Sequence, residues 1–571
     1  MASADSLGRT GRKPLAQPSD TAAPPADGAL SRRDFVRAGG IAVAAGAALP
    51  LLSACTTTAS RSPRTPRADR PNFLIIVTDQ ERFPQHWPDG WAEENLPNRQ
   101  RVAAKGLTFT RAYCASAMCS PSRASLFTGV YPAEHGVTEV LQYGSDNTDQ
   151  STLQPDRPNV ATLLASAGYD VQYRGKWHIG KDPMGLQGAQ SAKDLSQYGF
   201  KGWLPPESGL DEQAVYFGGG DTDYDAQYAD QAADFLKDAK PGAQTPFALF
   251  VMFANPHDVM GFPKTWDQAS ASDIAPYEGT NNYGGAMPGC FDQGIKLPGT
   301  FAEDLRKNFK PAAQYESTEM WSAGLKPIRA PRTMEEYVNF YAYLHKLSDQ
   351  HLGTVIDALE ADTALAEETI VLFMSDHGEM GLAHGGMREK AYNAYEETMH
   401  VPLVVSNPRL FPKPVNTDAL ASLVDIMPTL ATLASAPDRG EWTFRGKDLA
   451  PVIRAAAENP DAPTPTVQDS IMFTTDETIG SIPKHPELKD QPVVKQPAHI
   501  RCIREPSWKF AMYFDPDGKT PPAYELYDLA NDPLELHNMG AADGPYYDAA
   551  KISEMKDKLD KRMAETHTTP G

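Results

Sequence analysis

Three stretches of this chain are continuous runs of apolar residues, and each run is followed at once by polar side chains. The runs cover residues 72–77, 247–253 and 370–374, and the polar segments after them are 78–80, 255–258 and 375–378. Runs of this length, rich in β-branched and aromatic residues, predict strands that are buried on both faces of a sheet. Their polar ends contain Asp and His, which are candidate site residues because ligands bind at the carboxyl ends of parallel strands.

Helical patterns lie between these strands. Residues 160–166 form an apolar segment that closes at Gly168, a usual helix terminator, and 334–359 carries apolar residues at helical spacing. Strands that alternate with helices predict a large, mostly parallel sheet covered by helices on both faces, so the expected fold class is α/β.

Two regions depart from that alternation. Residues 261–332 contain glycine and proline with little periodicity and predict a surface insertion, a kind of loop that often serves function. After Leu449 the pattern changes to proline-rich turns and short mixed strands, with a last helix predicted over 548–565. We therefore expect a large domain at 71–450, which carries the candidate site, and a smaller C-terminal α+β subdomain at 451–571.

The N-terminal residues follow the pattern of an export signal. Arg32 and Arg33 precede an uncharged, apolar run of small residues, and this order predicts a twin-arginine signal peptide at 1–54. The run is too short to predict a membrane-spanning helix. It ends in the letters LSAC at Cys55, which look like a bacterial lipobox, so we expect lipid on Cys55, a polar tether at 55–70 and anchoring outside the cytoplasmic membrane, in the periplasm or at the cell surface. An ordinary cleavage site with an incidental cysteine is the alternative.

Charge and composition exclude two classes of protein. Of 571 residues, 74 are Asp or Glu and 53 are Lys or Arg, which gives a net charge of -21. A nucleic-acid binder needs a basic face to neutralise phosphates, so we expect no nucleic-acid partner. Five cysteines in this length exclude a disulfide-stapled scaffold, and each cysteine can be considered on its own.

One of those cysteines lies in a short motif, MCSPSRASLFTG at 118–129, where a Cys-x-Pro-x-Arg pattern runs from Cys119 to Arg123. The motif resembles the signature of the formylglycine-dependent sulfatases, in which the cysteine is oxidised to an aldehyde. Further blocks resemble the same family in its order: Asp79-Gln80, 175–180, 255–258, 375–379, 384–403 and 525–533. The resemblance implies an alkaline-phosphatase-like fold and the hydrolysis of sulfate monoesters.

By this resemblance, a formylglycine-generating enzyme converts Cys119, and one divalent ion is held beside it. The expected metal ligands are Asp79, Gln80, Asp376, His377 and the modified Cys119. The hydrated aldehyde would attack the sulfur of a small sulfate ester, and the metal would lower the pKa of the attacking hydroxyl and bind a sulfate oxygen.

Positive charge and proton transfer complete the expected site. Arg123 would hold the hydrated aldehyde, and its spacing of four residues from the modified cysteine puts both on one face if the segment is helical. Lys176 and Lys390 would carry charge on the sulfate oxygens. His257, together with Lys390, is the candidate acid for the leaving alcohol, and His178 is the candidate base. In the alternative interpretation the two lysines are solvated and the two histidines are structural.

Two pairs depart from the pattern of many sulfatases, because Asp79 is followed by Gln80 and Asp376 by His377. All-oxygen sites favour calcium or magnesium, whereas the imidazole nitrogen favours manganese or zinc, and calcium is the first expectation. The same pairs resemble choline sulfatases and phosphonate monoester hydrolases, so hydrolysis of phosphonate monoesters or phosphodiesters is the alternative function. A third candidate function is that of a lipoprotein that binds a ligand without catalysis. His384 has no strand-end position, and we interpret it as loop structure rather than a ligand.

Overall fold

The computed structural model describes residues 70–141, 151–180, 195–204, 223–263, 289–330, 332–437, 439–478 and 494–570. The predicted export signal and nearly all of the predicted tether, including Cys55, lie outside this part of the chain, as do 264–288 of the predicted insertion. Among the described residues, no helix combines the length and the apolar character that crossing a membrane requires.

The described residues contain thirteen strands. In chain order they are β1 Asn72–Asp79, β2 Gly106–Phe109, β3 Ala112–Tyr113, β4 Asp170–Gly175, β5 Phe247–Pro256, β6 Thr369–Ser375, β7 Leu403–Ser406, β8 Val415–Thr417, β9 Ala421–Ser422, β10 Ile471–Thr475, β11 His499–Arg504, β12 Trp508–Phe514 and β13 Ala523–Asp528. Seven of them form one sheet in the order β4-β5-β1-β6-β7-β2-β8. Every pair of neighbours is parallel except the two that involve β7, so the predicted mostly parallel sheet is confirmed.

Fourteen α-helices lie in the same part of the chain. They are α1 Trp91–Asn95, α2 Pro97–Ala104, α3 Cys119–Thr128, α4 Pro132–His135, α5 Val160–Ser166, α6 Tyr224–Asp238, α7 Ala312–Gly324, α8 Met334–Glu360, α9 Thr363–Glu367, α10 Ala383–Gly386, α11 Glu396–Met399, α12 Ile426–Leu433, α13 Ala450–Glu458 and α14 Ala549–Thr566. The longest, α8, begins after Thr333, whose side chain forms a reciprocal capping box with Glu336.

Strand β1 shows how the sheet is covered on both faces. Phe73 and Val77 lie in a core shared with α3, α5 and α12, whereas Leu74 and Ile76 lie in a second core shared with α6 and α8. Successive side chains of a strand point to opposite faces, so an uninterrupted apolar run is what a sheet between two helical layers requires. The α/β class predicted from the apolar runs is therefore confirmed.

A smaller antiparallel sheet of β10, β11, β12 and β13 follows the large sheet in the chain. Helix α14 packs on it, with Met555 and Leu559 in one core with Phe510. Val424 of the larger unit lies in that same core, so the two units share buried apolar surface. The expected C-terminal α+β unit is confirmed, whereas its exact start at residue 451 stays a prediction.

The register of the large sheet brings three strand ends to one edge. Strand β1 runs parallel to both neighbours, with Asp79 opposite Pro256 of β5 and Thr78 opposite Ser375 of β6. The polar segments that follow these three strands therefore meet at the carboxyl edge, where α/β sheets bind ligands.

Candidate active site

The carboxyl edge of the sheet brings the predicted site residues together. The ten side chains are Asp79 and Gln80 at the end of β1, Lys176 and His178 after β4, His257 after β5, Asp376 and His377 after β6, Cys119 and Arg123 on α3, and Lys390 between α10 and α11. None of them exposes more than 4% of its surface. Cys55, the remaining predicted site residue, lies outside the described residues.

Helix α3 presents two of these residues to the same cluster. Cys119 is its first residue, where the partial positive charge of a helix N-terminus favours an anion. Arg123, one turn later, donates from Nε to Asp376 Oδ2 (2.8 Å) and from Nη2 to Asp79 Oδ2 (2.9 Å). The expected shared helix face is therefore present. The predicted contact between Arg123 and an aldehyde stays a prediction.

Four side chains form what we call the first cluster: Asp79, Cys119, Asp376 and His377, whose ligand atoms all lie within 4.8 Å of one another. The Nδ1–H of His377 donates to the Gly378 carbonyl (3.0 Å), which leaves Nε2 facing Cys119 Sγ at 3.1 Å. Cys119 Sγ stands where an oxygen of the hydrated aldehyde would lie in a modified protein. Two carboxylates and an imidazole lone pair suit a divalent ion.

Gln80 lies beside the first cluster, on the first residue after β1 and at a left-handed φ of 67°. Its backbone N–H donates to Asp376 Oδ1 (3.1 Å), and its side-chain Oε1 accepts from Lys390 Nζ. The amide oxygen is therefore held by a charged neighbour, and the backbone of Gln80 contacts a carboxylate of the first cluster. The role of Gln80 as a metal ligand stays a prediction.

A glycine at the end of β4 allows Lys176 to reach this site. Gly175 has a φ of +97°, and a Cβ there would lie 2.0 Å from the carbonyl oxygen of Met252. The next residue then donates its backbone N–H to that carbonyl (2.9 Å), and Lys176 Nζ lies 2.7 Å from Asp79 Oδ2. Only glycine tolerates such a close approach of two backbones.

Three buried cations, Arg123, Lys176 and Lys390, each pair with a carboxylate of the site. Burial by itself would raise the pKa of Asp79, but Lys176 and Arg123 hold that pKa well below its ordinary value. Burial also works against charge on Lys390, yet the carboxylates of Glu389 and Asp79 raise its pKa, so the ammonium stays protonated. Buried lysines and an arginine at a strand edge can bind a tetrahedral anion.

Both candidate proton-transfer histidines are held neutral. Burial and the charge of Lys176 lower the pKa of His178 and of His257 well below the ordinary value. His178 Nε2 lies 2.8 Å from the carbonyl oxygen of Leu141, which can only accept, so Nε2 carries the proton and Nδ1 is the basic nitrogen. This tautomer suits the role of a base that was predicted for His178.

His384 belongs to a different group of buried side chains, which we call the second cluster: His384, Glu397 and Glu535. His384 Nδ1 lies 2.6 Å from Glu303 Oε2, its Nε2 lies 3.6 Å from Glu397 Oε1, and its ring stacks on Tyr395 at 3.7 Å. These contacts agree with its interpretation as a structural residue.

Several side chains that support the site are not evident from residue type and spacing. Glu379 lies in a block that resembles the family, but the sequence does not show that its carboxylate accepts from Gln80 Nε2 (2.5 Å). Tyr337 lies within the predicted helix 334–359, and the sequence does not show that its hydroxyl donates to Glu379 (2.7 Å). The sequence feature that comes nearest to indicating this support is the spacing of Tyr337 and Tyr341, which lie four residues apart and so on one face of α8.

Comparison with known proteins identifies relatives along most of the chain. The family model described as Sulfatase matches residues 71–436. A Delta 4,5-hexuronate-2-O-sulfatase of Bacteroides thetaiotaomicron is 25% identical over 477 residues, which cover 82% of this chain and 85% of the relative. A choline-sulfatase of Rhizobium meliloti is 26% identical over 514 residues, which cover 86% of each protein.

A solved structure shares the fold. The phosphonate monoester hydrolase of Agrobacterium radiobacter superposes with a TM-score of 0.58 at 22% identity, covering 87% of this chain and 96% of that one. At that level of identity the likeness shows the fold and does not choose between the two ester classes.

Proposed function

We propose that this chain, which belongs to the sulfatase family and hydrolyses sulfate esters, acts on small sulfate monoesters. We further propose that it does so through a formylglycine made from Cys119. The observation that carries this proposal is the position of Cys119, which lies at the N-terminus of α3 within the first cluster. A divalent ion, cationic side chains and a modified residue would then converge on one substrate group.

The unmodified thiol is poorly suited to act as the nucleophile. Burial, together with the nearby Asp79, raises the pKa of Cys119 to about 12, so the thiol stays protonated at neutral pH. A hydrated formylglycine supplies two geminal hydroxyls, one to attack sulfur and one whose collapse expels sulfate and restores the aldehyde. This contrast favours a formylglycine over the thiol as the nucleophile of the proposed reaction.

The side chains around Cys119 bind the anion and move protons. Lys176 and Lys390 place two ammonium groups beside it, and they neutralise charge on the sulfate oxygens. His178 takes a proton at Nδ1 in the collapse step. His257 rests neutral because of burial and Lys176, and the charge of a bound sulfate ester raises its pKa, so that with Lys390 it can supply a proton to the leaving alcohol.

The first cluster and Gln80 would hold one divalent ion. Asp79 and Asp376 offer carboxylate oxygens, Gln80 an amide oxygen and His377 an imidazole nitrogen. A bound ion supplies a Lewis acid that lowers the pKa of a neighbouring hydroxyl and neutralises an oxygen of the ester. The oxygen-rich set supports calcium, and manganese, magnesium and zinc are the competing ions.

Hydrolysis of phosphonate monoesters or phosphodiesters is the second candidate. The solved phosphonate monoester hydrolase shares the fold, and both ester classes present a tetrahedral anion to the same charges. A comparison of the two substrates on one enzyme distinguishes these candidates.

Export and anchoring complete the proposal. The pair Arg32-Arg33 before an apolar run supports twin-arginine export, and the letters LSAC ending at Cys55 support lipid attachment. The enzyme would then act outside the cytoplasmic membrane on esters that reach it there. Replacement of Cys55 by Ala should move the protein from the membrane fraction to the soluble fraction of its host, and continued membrane attachment would contradict the anchor.

The test of the function is a paired assay with a matched cysteine control. The full chain, produced with a formylglycine-generating enzyme, is given an aryl sulfate and an aryl phosphonate monoester, with and without added Ca²⁺. We expect faster turnover of the sulfate, and a loss of at least ~10³-fold in Cys119→Ala, as for removal of other catalytic nucleophiles. Cys114→Ala, which alters another buried cysteine five residues earlier, should keep its activity. Faster turnover of the phosphonate would overturn the sulfate assignment.

A further inference from the structure

Every polar group of Gln80 has a partner. Its backbone N–H donates to Asp376 Oδ1 (3.1 Å), and its carbonyl accepts from the hydroxyl of Tyr341 (2.6 Å). In the side chain, Oε1 accepts from Lys390 Nζ and Nε2 donates to Glu379 Oε2 (2.5 Å). The two ends of the amide therefore face a cation and an anion, and the amide has only one orientation that satisfies both.

Glu379 is built to accept hydrogen bonds at both of its oxygens. Oε2 accepts from Gln80, while Oε1 accepts from the hydroxyl of Tyr337 (2.7 Å) and from the backbone N–H groups of Gly381 (3.0 Å) and Glu389 (3.1 Å). A carboxylate is the side chain of this size that offers acceptors on both sides, because a glutamine would turn an NH₂ group toward one of them. Glu379 itself is fully buried, so water cannot replace a lost partner.

Helix α8 supports this arrangement from behind. Tyr337 and Tyr341 lie four residues apart on α8, and both are buried. The first hydroxyl contacts Glu379 and the second contacts the backbone of Gln80. Both partners of the Gln80–Glu379 hydrogen bond are thus fixed by one long, regular element.

We propose that Glu379 is a positioning residue that orients the amide of Gln80, turning its NH₂ group away from the first cluster and its carbonyl oxygen toward Lys390 and the metal position. A flipped amide would place its NH₂ against the ammonium of Lys390 and its oxygen against the carboxylate of Glu379. The proposal rests on the proposed metal site and adds a residue to it that does not touch the metal.

The same contact favours an amide over a carboxylate at position 80. A carboxylate at that position would lie about as close to Glu379 as the present 2.5 Å contact, and two like charges in a buried site strongly disfavour each other. Gln80 and Glu379 therefore form one coupled choice of residues.

Metal affinity of the full-length holoenzyme tests the proposal without any use of activity. The Ca²⁺-loaded protein is dialysed against a series of chelator concentrations, and retained calcium is measured by elemental mass spectrometry. In Glu379→Gln the new NH₂ faces Gln80, so Gln80 must flip and turn its oxygen from the metal. We expect calcium affinity to fall about 10- to 100-fold, the usual effect of removing a partner of a metal ligand.

A matched control separates positioning from general damage. Asp425 is also a fully buried carboxylate that accepts from a glutamine amide, at Gln468 (2.7 Å), and from the backbone N–H groups of Ser422 and Lys447, but it contacts none of the first cluster. Asp425→Asn should lower the melting temperature and leave calcium affinity unchanged. If Glu379→Gln does not fold, Tyr337→Phe removes one donor to Glu379 and should weaken calcium binding by up to about 10-fold.

Exchange of the charge between the two positions gives the sharpest readout. Gln80→Glu alone should lose calcium affinity, because it faces Glu379. The double variant Gln80→Glu with Glu379→Gln restores every hydrogen bond, since the new amide at position 379 would donate to the new carboxylate at position 80 and still accept from Tyr337 and the backbone. We expect it to bind calcium within about threefold of the unaltered protein, a coupling that independent structural effects do not give.

Two results would count against the proposal, and they differ. Unchanged calcium affinity in Glu379→Gln, or no recovery in the double variant, would overturn the positioning role alone. Failure of the unaltered protein to retain Ca²⁺, Mn²⁺, Mg²⁺ or Zn²⁺ at any chelator concentration would overturn the proposed metal site and the positioning role with it.

Discussion

The described residues contain two buried clusters of acidic and histidine side chains, and the two clusters differ in the charge of their histidine. In the first cluster the carboxylates pair with Arg123 and Lys176, and burial lowers the pKa of His377. In the second cluster the histidine is itself positively charged, and Lys509 pairs with Glu535 beside it. Although burial opposes this charge, Glu397 and Glu303 raise the pKa of His384 to about 9.

This difference separates a reactive site from a structural one made of the same residue types. A neutral imidazole keeps a lone pair, which His377 Nε2 directs at Cys119, so the first cluster can bind a metal. A protonated imidazole has no lone pair to give, and both nitrogens of His384 face carboxylates. The charge state of the histidine, and not the presence of acids and histidines, indicates which cluster is the site.

The largest expected difference between the clusters is in catalysis. Asp79→Asn removes a predicted metal ligand and the partner of Lys176 and Arg123, so we expect kcat/KM for an aryl sulfate to fall by at least ~10³-fold. Glu303→Gln makes the same chemical change in a partner of the second cluster and should alter kcat/KM by less than about threefold. Comparable losses in both variants would mean that the comparison is wrong.

A smaller effect is expected in the pH dependence of stability. The pKa of His384 is raised from about 6.5 to about 9, so its contribution is fully present below pH 6.5 and is lost as pH rises through 9. The difference in free energy of unfolding between the unaltered protein and His384→Gln should therefore shrink by about 3 kcal/mol between pH 6.5 and 10. Urea unfolding across that range measures it.

His400 supplies the control of opposite sign. Burial lowers the pKa of His400 to about 4, so its contribution is present above pH 6.5 and is lost as pH falls toward 4. The free energy of unfolding of His400→Gln should thus differ from that of the unaltered protein in its pH dependence only on the acid side. A loss of the His384 contribution on the acid side instead would contradict the assignment of a cation there.

The smallest expected effect is the stabilisation by bound metal. Calcium at about 100 times its Kd stabilises the folded protein by about 2.7 kcal/mol if it binds the folded state alone. Chelation should therefore lower the melting temperature of the unaltered protein and of Glu303→Gln, but not that of Asp79→Asn. If chelation also lowers the melting temperature of Asp79→Asn, the ion binds at a different site.

The large sheet could be predicted from sequence because its central strands are buried on both faces. The runs at β1, β5 and β6 are uninterrupted, and the capped helix α8 ends at Glu360, one residue beyond its predicted end. Short strands such as β7 carry too few residues to show a period. Helix α7 lies within the expected surface insertion at 261–332, and its apolar residues follow no pattern that distinguishes it from a loop.

Site residues that belong to a sequence motif could be predicted from the sequence. Site residues whose role depends on contacts with distant parts of the chain could not. The spacing of Cys119 and Arg123 predicts a shared helix face, and the structure has it. The contact of Glu379 with Gln80 joins residues 299 positions apart, and no local pattern reveals it. The charge of His384 likewise depends on Glu303 and Glu397, which only the fold brings to it.

The central claim is that an aldehyde derived from Cys119, within the first cluster, carries the hydrolysis of sulfate esters. The most direct test measures the fraction of aldehyde at residue 119 by peptide mass spectrometry and the turnover of an aryl sulfate in the same preparations. These are produced with graded amounts of a formylglycine-generating enzyme. The account predicts turnover in proportion to the aldehyde fraction, with none at zero aldehyde. Full turnover by protein in which residue 119 is entirely unmodified cysteine would contradict it.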